Sequence, residues 1–297
     1  MTALLVAGGR GRLGRDLADA ASRAGAAHVA APDSATLDVT SGASVHAALT
    51  ALTGRARAEG LRPVVVNAAA YTAVDAAEGD AERAYAVNAQ GPAVLAAACA
   101  DLGVHLVHLS TDYVFAGDAA APYRTDDETA PRSVYGRSKL AGEHAVLAAG
   151  GSAHVVRTGW LYGAHGTNFV HTMARLQRSH ATVDVVDDQR GGPTWTGDLA
   201  GGLVALVSAA DRVPPGVLHC VNAGETTWYG LATAVFTELG ADPERVRPCT
   251  TEQFPRPAPR PANSVLDTSS WTAAGLPALR PWREALSAAV AAGLLST

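Results

Sequence analysis

The sequence predicts an α/β fold in which a doubly wound parallel sheet is accompanied by a smaller C-terminal lobe. Short apolar runs rich in Val and Leu alternate with longer amphipathic stretches over residues 1–160. The apolar runs are near-continuous rather than alternating, which is typical of strands buried on both faces of a parallel sheet. Strand–helix alternation of this kind favours helices on both sides of one sheet.

The first part of the chain supplies most of the predicted sheet. Pro92 lies inside the second predicted helix, so we expect a kink or a tightened turn there. The predicted strands are ALLVAGG (3–9), HVAAP (28–32), PVVVNAAA (63–70), VHLVHLST (104–111) and HVVRTGW (154–160), and the predicted helices span 13–25 and 81–103.

The pattern changes after residue 160, where helical stretches alternate with loops rich in Pro and Gly. Two such loops are DDQRGGPTWTGD (187–198) and FPRPAPRPANS (254–264). We interpret the second as an ordered loop rather than a recognition peptide, because it lies inside the chain. GVLHCVNAG (216–224) has the composition of a buried strand that returns to the main sheet.

Composition excludes several classes of protein. The 297 residues are 48% apolar and 17% charged with a net charge of −5, so nothing indicates a nucleic-acid partner. Three cysteines without CxxC spacing indicate neither a disulfide framework nor a zinc site. MTALLVAGG lacks a basic n-region, and no segment approaches the roughly 18 apolar residues of a membrane span. We expect a cytoplasmic protein without a membrane partner.

The first strand leads into GGRGRLG, which places Gly8, Gly11 and Gly14 three residues apart before a helix. Glycines at this spacing allow a tight turn, close approach of a pyrophosphate, and close packing of the helix. A Gly-rich turn without a ligand is the alternative. We therefore assign residues 1–160 to a Rossmann-type dinucleotide-binding domain and 161–297 mainly to a substrate-binding lobe.

The residues after the second strand decide which dinucleotide is bound. Asp33 can accept bonds from both ribose hydroxyls of NAD, whereas Arg10 and Arg12 can hold the 2′-phosphate of NADP. Asp38 is near enough in sequence to reach the adenine. Because these indications conflict, we expect dual use of NADPH and NADH.

Lys139 is the only lysine in a chain with 23 basic residues. It follows Tyr135 by four positions, so on a helix the two side chains share a face. A tyrosine with a pKa near 10 is a poor acid at pH 7, and a neighbouring ammonium lowers that pKa. The ammonium can also hold ribose hydroxyls, which the planar fork of arginine fits less well. The alternative is a solvated lysine on a helix surface.

Two further motifs lie at the ends of predicted strands. In STDYVF (110–115), Ser110 and Thr111 can donate hydrogen bonds to a carbonyl beside the Tyr135 hydroxyl. Their alternative role is to satisfy a strand-end turn. The small residues of NAAAYTAVDAAE (67–78) allow a flat cofactor to lie against the backbone.

Together these motifs resemble the extended short-chain dehydrogenase/reductase superfamily and, within it, the dTDP-4-dehydrorhamnose reductase family. The resemblance implies reduction of the 4-keto group of a dTDP-6-deoxy-4-hexulose by a nicotinamide cofactor, with dTDP-L-rhamnose as the first product to consider. It covers nearly the whole chain through NAAAYTAVDAAE, VNAQG (87–91), STDYVF, YGRSK (135–139), RTGWLYG (157–163), NFVHTM (168–173), DDQRGGPTWTGDLA (187–200), GETTWYG (224–230) and RPANSVLDT (260–268).

The resemblance also implies roles for individual residues. Tyr135 is the implied proton donor, Lys139 its modulator and ribose ligand, and Thr111 the group that polarises the C4 carbonyl. Asp112 and Trp160 face the sugar. Gly11, Arg12 and Leu13 are the implied contacts of the pyrophosphate. The contacts expected near the middle of the cofactor are Ala69, Ala70, Tyr71 and Asn88, and Val39 is a further predicted cofactor contact.

Arginine is expected to hold the substrate diphosphate, because its fork can make two parallel bonds to phosphate oxygens. Arg190 and Arg260, in the two Pro- and Gly-rich loops, are the candidates. A solvated surface position is the alternative for each of them.

Several questions stay open at this point. Many relatives have arginine where Ser34 stands, which leaves the NADPH preference undecided. Some associate through magnesium, but no such site transfers residue by residue, so we predict no metal. The alternatives are a related 4-ketoreductase of natural-product deoxysugar biosynthesis and a non-catalytic dinucleotide-binding regulatory subunit. A homodimer is one of the oligomeric states that the sequence allows.

Overall fold

Six parallel strands form the central sheet in the computed structural model, which describes residues 1–295. The strands of this part of the chain are β1 (Thr2–Ala7), β2 (His28–Ala30), β3 (Arg62–Asn67), β4 (His105–Thr111), β5 (Ala153–Thr158), β6 (Leu161–Tyr162), β7 (Val183–Val186), β8 (Arg190–Gly191), β9 (Thr194–Trp195), β10 (Gly216–His219), β11 (Thr226–Thr227) and β12 (Val246–Cys249). The order across the main sheet is β10–β5–β4–β3–β1–β2. The prediction of a doubly wound parallel sheet is confirmed.

Helices flank this sheet and build the rest of the molecule. They are α1 (Arg12–Arg23), α2 (Gly42–Glu59), α3 (Val74–Ala77), α4 (Ala81–Tyr85), α5 (Gly91–Leu102), α6 (Val134–Ala148), α7 (Phe169–Ser179), α8 (Thr196–Ala209), α9 (Trp228–Glu238), α10 (Ser269–Ala273) and α11 (Trp282–Ala291). Among residues 1–295, none of these helices combines the length and the apolar character that crossing a bilayer requires.

Apolar side chains of β1 point alternately to two cores, which explains why the strand is a continuous apolar run. Leu4 and Val6 pack with α1 and α8 on one face, and Ala3 and Leu5 pack with α2 and α5 on the other. A third core lies among α7, α9, α11, β7 and β12. It belongs to the smaller lobe.

Residues beyond 160 also contribute to the sheet half of the molecule. β10 pairs with β5 at one edge of the main sheet, and α8 packs beside α1. The small sheets are β7 with β12, β8 with β11, and β6 with β9. The division of the chain at residue 160 stays a prediction.

The helix predicted over 81–103 is interrupted before Pro92. α4 continues into a π-helical turn at Ala86–Gln90, and α5 then begins at Gly91 with Pro92 in its first turn. Proline is tolerated there because the first turn of a helix does not need its N–H. The irregularity therefore falls a few residues earlier than Pro92 itself.

Candidate active site

The turn from β1 to α1 is held against the segment after β3, at the point where strand order reverses. Gly8 has φ +74°, and a Cβ there would lie 2.7 Å from the Ala69 nitrogen. A Cβ on Gly14 would lie 2.3 Å from the Gly8 carbonyl oxygen. The turn therefore has no room for side chains at these glycines, and the start of α1 carries no side-chain cap. Free N–H groups at such a position fit a pyrophosphate.

Gly9, which the motif spacing did not single out, is as tightly enclosed. A Cβ on Gly9 would lie 2.4 Å from the carbonyl carbon of Ala31, and its N–H donates to the Pro32 carbonyl at 3.1 Å. The close approach of two chain segments causes this requirement. It is not visible in a local glycine pattern.

The two arginines of the turn have different surroundings. The Arg12 side chain donates to the carbonyls of Leu161 (3.2 Å), His165 (3.1 Å) and Thr167. Arg10 is exposed, as is Asp33. The Arg12 guanidinium is therefore bonded to backbone carbonyls. Arg10 and Asp33 are exposed charges near the end of β2.

Asp33 and Asp38 both stabilise local turns. Bonds from Thr36 lower the pKa of Asp33, with a smaller contribution from the charge of Arg10. The carboxylate of Asp38 accepts from Thr40 N at 2.9 Å and from Thr40 Oγ1 at 2.7 Å. The neighbouring Val39 is buried against Gly91.

Asn88 fixes the predicted cofactor segment against α6. Its Oδ1 accepts from the Tyr71 nitrogen at 2.8 Å, and its Nδ2 donates to the Tyr71 carbonyl and to Ser138 Oγ, both at 3.0 Å. Asn88 is fully buried in the π-helical turn. Ala69 is held from the other side by Asn67, whose Oδ1 accepts from the Ala69 nitrogen at 3.1 Å. Ala70 lies between these two anchored residues.

Tyr135 and Thr111 meet at the carboxyl end of β4. Ser133 caps α6 by accepting from Gly136 N at 3.0 Å, which places Tyr135 in the first turn of that helix. Desolvation raises the pKa of Tyr135 to about 12, and the nearby Thr111 hydroxyl acts in the opposite direction. Tyr113 packs edge-on against Tyr135, with ring centroids 5.6 Å apart.

Lys139 lies one turn further along α6 and is 2% exposed. Its Nζ donates to the Leu109 carbonyl at 2.6 Å. Burial lowers the pKa of Lys139 to about 8, while the carboxylate of Glu143 acts in the opposite direction. Desolvation raises the pKa of Tyr135 and the Lys139 ammonium is bonded to a backbone carbonyl, so a lowering of that pKa by Lys139 stays a prediction.

Asp112 is a buried carboxyl beside Thr111. Its Oδ1 accepts from Thr111 Oγ1 at 2.9 Å, and within residues 1–295 its Oδ2 has no hydrogen-bond partner. Burial raises the pKa of Asp112 to about 6, with the hydroxyls of Ser264 and Thr111 acting in the opposite direction. A buried acceptor without a partner carries a desolvation cost, which favours the protonated carboxyl.

Trp160 follows β5 with φ 48°, a left-handed conformation that is unusual for a side chain of this size. Its ring lies parallel to that of Trp228, with centroids 3.5 Å apart. Its Nε1 donates to Ser264 Oγ at 3.2 Å. A Cβ on Gly191 would lie 2.3 Å from the Trp160 ring. These contacts fix the indole between the end of β5 and the 187–198 loop.

A cavity of about 850 Å³ lies in the smaller lobe. Arg260 lines it, and its side chain is 14% exposed. Arg190 does not line this cavity among the described residues; it is half exposed and paired with Glu225. Other lining residues are Phe169, Met173, Gln189, Trp228 and Phe254.

Two arginines of the Pro-rich segment bind one carboxylate of the other half of the molecule. Arg260 Nη2 donates to Asp75 Oδ1 at 2.9 Å, and Arg256 Nε donates to Asp75 Oδ2 at 3.0 Å. Bonds and charges from both arginines outweigh desolvation and lower the pKa of Asp75. Asp75 therefore connects α3 to the rim of the cavity.

Sequence reasoning missed a buried ion pair behind the site. Arg157 of β5 and Glu143 of α6 have side chains 5% and 1% exposed, with Nη2 and Oε2 2.8 Å apart. Two features of the sequence point to it. Arg157 is a charged residue in a fully buried strand, and Glu143 follows Lys139 by four positions.

A glycine turn beside a Thr–Tyr–Lys cluster, on a doubly wound sheet, defines a short-chain dehydrogenase/reductase of the extended type. The family model described as RmlD substrate binding domain matches residues 1–294, and the chain belongs to this family. It is an oxidoreductase that uses a nicotinamide dinucleotide, and the expected family and enzyme class are confirmed.

Curated and solved relatives agree with this assignment. A dTDP-4-dehydrorhamnose reductase of Streptomyces griseus is 52% identical, over 95% of this chain and 91% of its own length. A probable dTDP-4,6-dihydroxy-2-methyloxan-3-one 4-ketoreductase of Streptomyces antibioticus is 50% identical, over 95% and 92%. The crystal structure of dTDP-4-dehydrorhamnose reductase from Bacillus anthracis in complex with NADP has a TM-score of 0.89 at 32% identity, covering 98% of this chain and all (100%) of that one.

Proposed function

We propose that this chain reduces the C4 keto group of a dTDP-4-keto-6-deoxyhexose, converting dTDP-4-dehydro-L-rhamnose to dTDP-L-rhamnose. The observation that carries the proposal is the meeting of Tyr135 and Thr111 at the carboxyl end of β4. Ligands of open α/β sheets bind at that end of the strands. The names of the relatives supply the sugar.

The glycine turn supports the binding of NADPH or NADH, since Gly8 and Gly14 leave no room for side chains and let a ligand approach the backbone. Gly8, Gly11 and Leu13 would contact the pyrophosphate, with Gly14 allowing the helix to approach. The segment 69–71 would lie along the middle of the cofactor, and Lys139 would hold the nicotinamide ribose. A reduced nicotinamide bound here supplies the hydride.

Tyr135 is the proposed proton donor to the C4 oxygen. With a pKa of about 12 the phenol is protonated at neutral pH, which is the form that a donor needs, and the positive charge of Lys139 would favour release of its proton. Thr111 orients the carbonyl beside it. The Thr111 hydroxyl hydrogen is directed to Asp112 Oδ1 at 2.9 Å, so the ionisation of Asp112 determines whether Thr111 donates to substrate.

The nucleotide end of the substrate is assigned to the cavity of the smaller lobe. Its volume of about 850 Å³ is within the range of ligand pockets. Arg260 is the proposed diphosphate ligand, supported by its position in the lining. Arg190 is the weaker of the two original candidates because it lies outside that lining. Trp160 and the open Oδ2 of Asp112 would contact the sugar.

Incubation with a panel of dTDP-4-keto-6-deoxy sugars, with NADPH or NADH, tests the proposal. We expect turnover of dTDP-4-dehydro-L-rhamnose and a product identified by NMR as dTDP-L-rhamnose. The absence of turnover with every member of the panel would contradict the proposed activity.

The second candidate is a 4-ketoreductase that acts on another dTDP-4-keto-6-deoxyhexose in natural-product biosynthesis. The Streptomyces antibioticus relative supports it, since its identity of 50% is close to the 52% of the rhamnose reductase. The same panel separates the two candidates by comparing kcat/KM for each sugar. We further infer a cytoplasmic location, supported by three free cysteines in residues 1–295.

A further inference from the structure

Three consecutive contacts join one face of α6 to the last residues of β4. Tyr135 interacts with Thr111, Lys139 Nζ donates to the Leu109 carbonyl at 2.6 Å, and Ser110 Oγ donates to Glu143 Oε1. Tyr135, Lys139 and Glu143 follow one another at intervals of four, so they share a helix face. Glu143 thus extends the row that holds the two proposed catalytic residues.

Glu143 is itself held by Arg157. Arg157 Nε donates to Oε1 at 3.0 Å and to Oε2 at 3.2 Å, and Nη2 donates to Oε2 at 2.8 Å. Arg157 pairs in register with Ser110, the residue that also bonds to Glu143. Its guanidinium lies over the Phe115 ring at 4.9 Å. The Glu143 carboxylate is therefore held by two side chains, Arg157 and Ser110.

A buried ion pair is a weak way to stabilise a fold, because desolvation offsets much of the attraction between the two charges. The position of this one suggests another role. We propose that Glu143, held by Arg157 on the helix face that it shares with Lys139, is a positioning residue that sets the charge of the Lys139 ammonium. Its part in catalysis rests on the function proposed above.

His108 of β4 is a further titratable group near Lys139, and it supplies no negative charge. It is buried, and burial together with the charge of Lys139 lowers its pKa well below the usual value. Burial lowers the pKa of Lys139 to about 8, and Glu143 is the group that acts in the opposite direction.

The single lysine makes this proposal measurable without turnover. Protein labelled with ¹³C-lysine gives one lysine side-chain system, whose ¹³Cε shift reports the Lys139 charge during a pH titration. In Glu143→Gln we expect the midpoint to fall by about one pH unit or more, because a nearby opposite charge is lost. In Arg157→Gln we expect it to rise. Midpoints within about 0.3 unit of wild type in both variants would overturn the proposal.

The double variant Glu143→Gln/Arg157→Gln guards against misfolding, since it removes both charges of the ion pair and leaves neither partner buried without the other. We expect its Lys139 midpoint to lie below that of wild type, and a wild-type midpoint in this folded protein would also overturn the proposal. Glu238→Gln is the matched control. It breaks a partly buried pair with Arg283 in the smaller lobe and should leave the Lys139 midpoint unchanged.

Kinetics then separate positioning from mere structural support. In Glu143→Gln we expect NADPH affinity and kcat to decline at a lower pH than in wild type, following the new Lys139 midpoint, while KM for the sugar changes little. If NADPH affinity and kcat of Glu143→Gln decline at the same pH as in wild type, a role of Glu143 through Lys139 is contradicted. If no dTDP-sugar is reduced, the proposed function fails, while the NMR titration still decides the effect of Glu143 on Lys139.

Discussion

The Nζ atom of Lys139 donates a 2.6 Å hydrogen bond to the backbone carbonyl of Leu109, two residues before Thr111. A compact ammonium fits between α6 and β4 at this position, where the side chain is 2% exposed. The bond ties the lysine to the strand that ends in the candidate site. This geometry leads directly to the first prediction.

Lys139→Arg should be severely impaired although it keeps the positive charge. The planar guanidinium is larger than the ammonium and cannot occupy a fully buried site without displacing its neighbours, at a cost of about 1–3 kcal/mol. We expect a lower thermal midpoint and weaker NADPH binding, measured by calorimetry and fluorescence. Arg137→Lys, exposed on the same helix, is the matched control. Normal cofactor binding by Lys139→Arg would contradict a ribose contact.

Tyr135→Phe removes only the phenolic hydroxyl. We expect it to bind cofactor normally and to lose about 10²–10⁴-fold in kcat, the usual contribution of general acid catalysis. Steady-state kinetics with the best dTDP-sugar measure the loss. Tyr113→Phe serves as a control, because its ring packs on Tyr135. A near-normal kcat for Tyr135→Phe would assign the proton donor elsewhere.

Arg260→Ala should raise KM for the dTDP-sugar by about tenfold or more, because a charge-assisted bond to phosphate contributes roughly 1.5–3 kcal/mol. Arg190→Ala should have a smaller effect, since Arg190 lies outside the cavity lining and is half exposed. Both variants should retain cofactor affinity. An unchanged KM in Arg260→Ala would place the diphosphate at other groups.

Cofactor choice should depend on Arg10 and Asp33. Their opposing effects on a 2′-phosphate are each on the order of 1–4 kcal/mol, so we expect kcat/KM for NADPH and NADH to agree within about 30-fold. Asp33→Ala should shift the ratio toward NADPH and Arg10→Ala toward NADH. Arg12→Ala should weaken both cofactors equally, because its side chain is bonded to backbone carbonyls. A wild-type preference above roughly a thousandfold would rule out this balance.

Asp112 should make stability depend on pH in a direction opposite to most carboxylates. Its pKa is raised from 3.8 to about 6 in the folded protein, so its stabilising contribution is complete below pH 3.8 and is lost as pH rises through 6. Wild type should therefore lose about 3 kcal/mol relative to Asp112→Asn between pH 4 and 8, measured by urea unfolding. Asp33→Asn should show the opposite sign, because the pKa of Asp33 is lowered. If the free energy of unfolding depends on pH in the same way in wild type and Asp112→Asn, the raised pKa of Asp112 is contradicted.

The sheet and the helices on it could be predicted because continuous apolar runs and amphipathic stretches are local properties of the sequence. Strand ends were less accurate. Ala68–Ala70, for example, are apolar yet lie beyond β3, since the chain leaves the sheet where Ala69 meets Gly8. Only the packing of two distant segments determines that point.

The candidate site was predictable where spacing carries the chemistry, as for Tyr135 and Lys139. Spacing places Glu143 on the face of Lys139 but does not identify Arg157 as its partner, since the two lie on a helix and a strand and meet only in the folded chain. The hydrogen bonds of the Arg12 side chain were also not predictable from spacing, because their acceptors, Leu161 and His165, lie 149 and 153 positions away. The raised pKa of Tyr135 follows from burial, which spacing does not report.

The contact of Asp75 with Arg256 and Arg260 has a thermodynamic consequence. Asp75 stands four residues after Tyr71 in the proposed cofactor segment, while Arg260 lines the cavity assigned to the sugar nucleotide. An anion that draws Arg260 away from Asp75 would change the restraint on that segment. The two proposed ligands would then be coupled, and each would alter the affinity of the other by the same factor. Asp75→Asn should bring that factor closer to one.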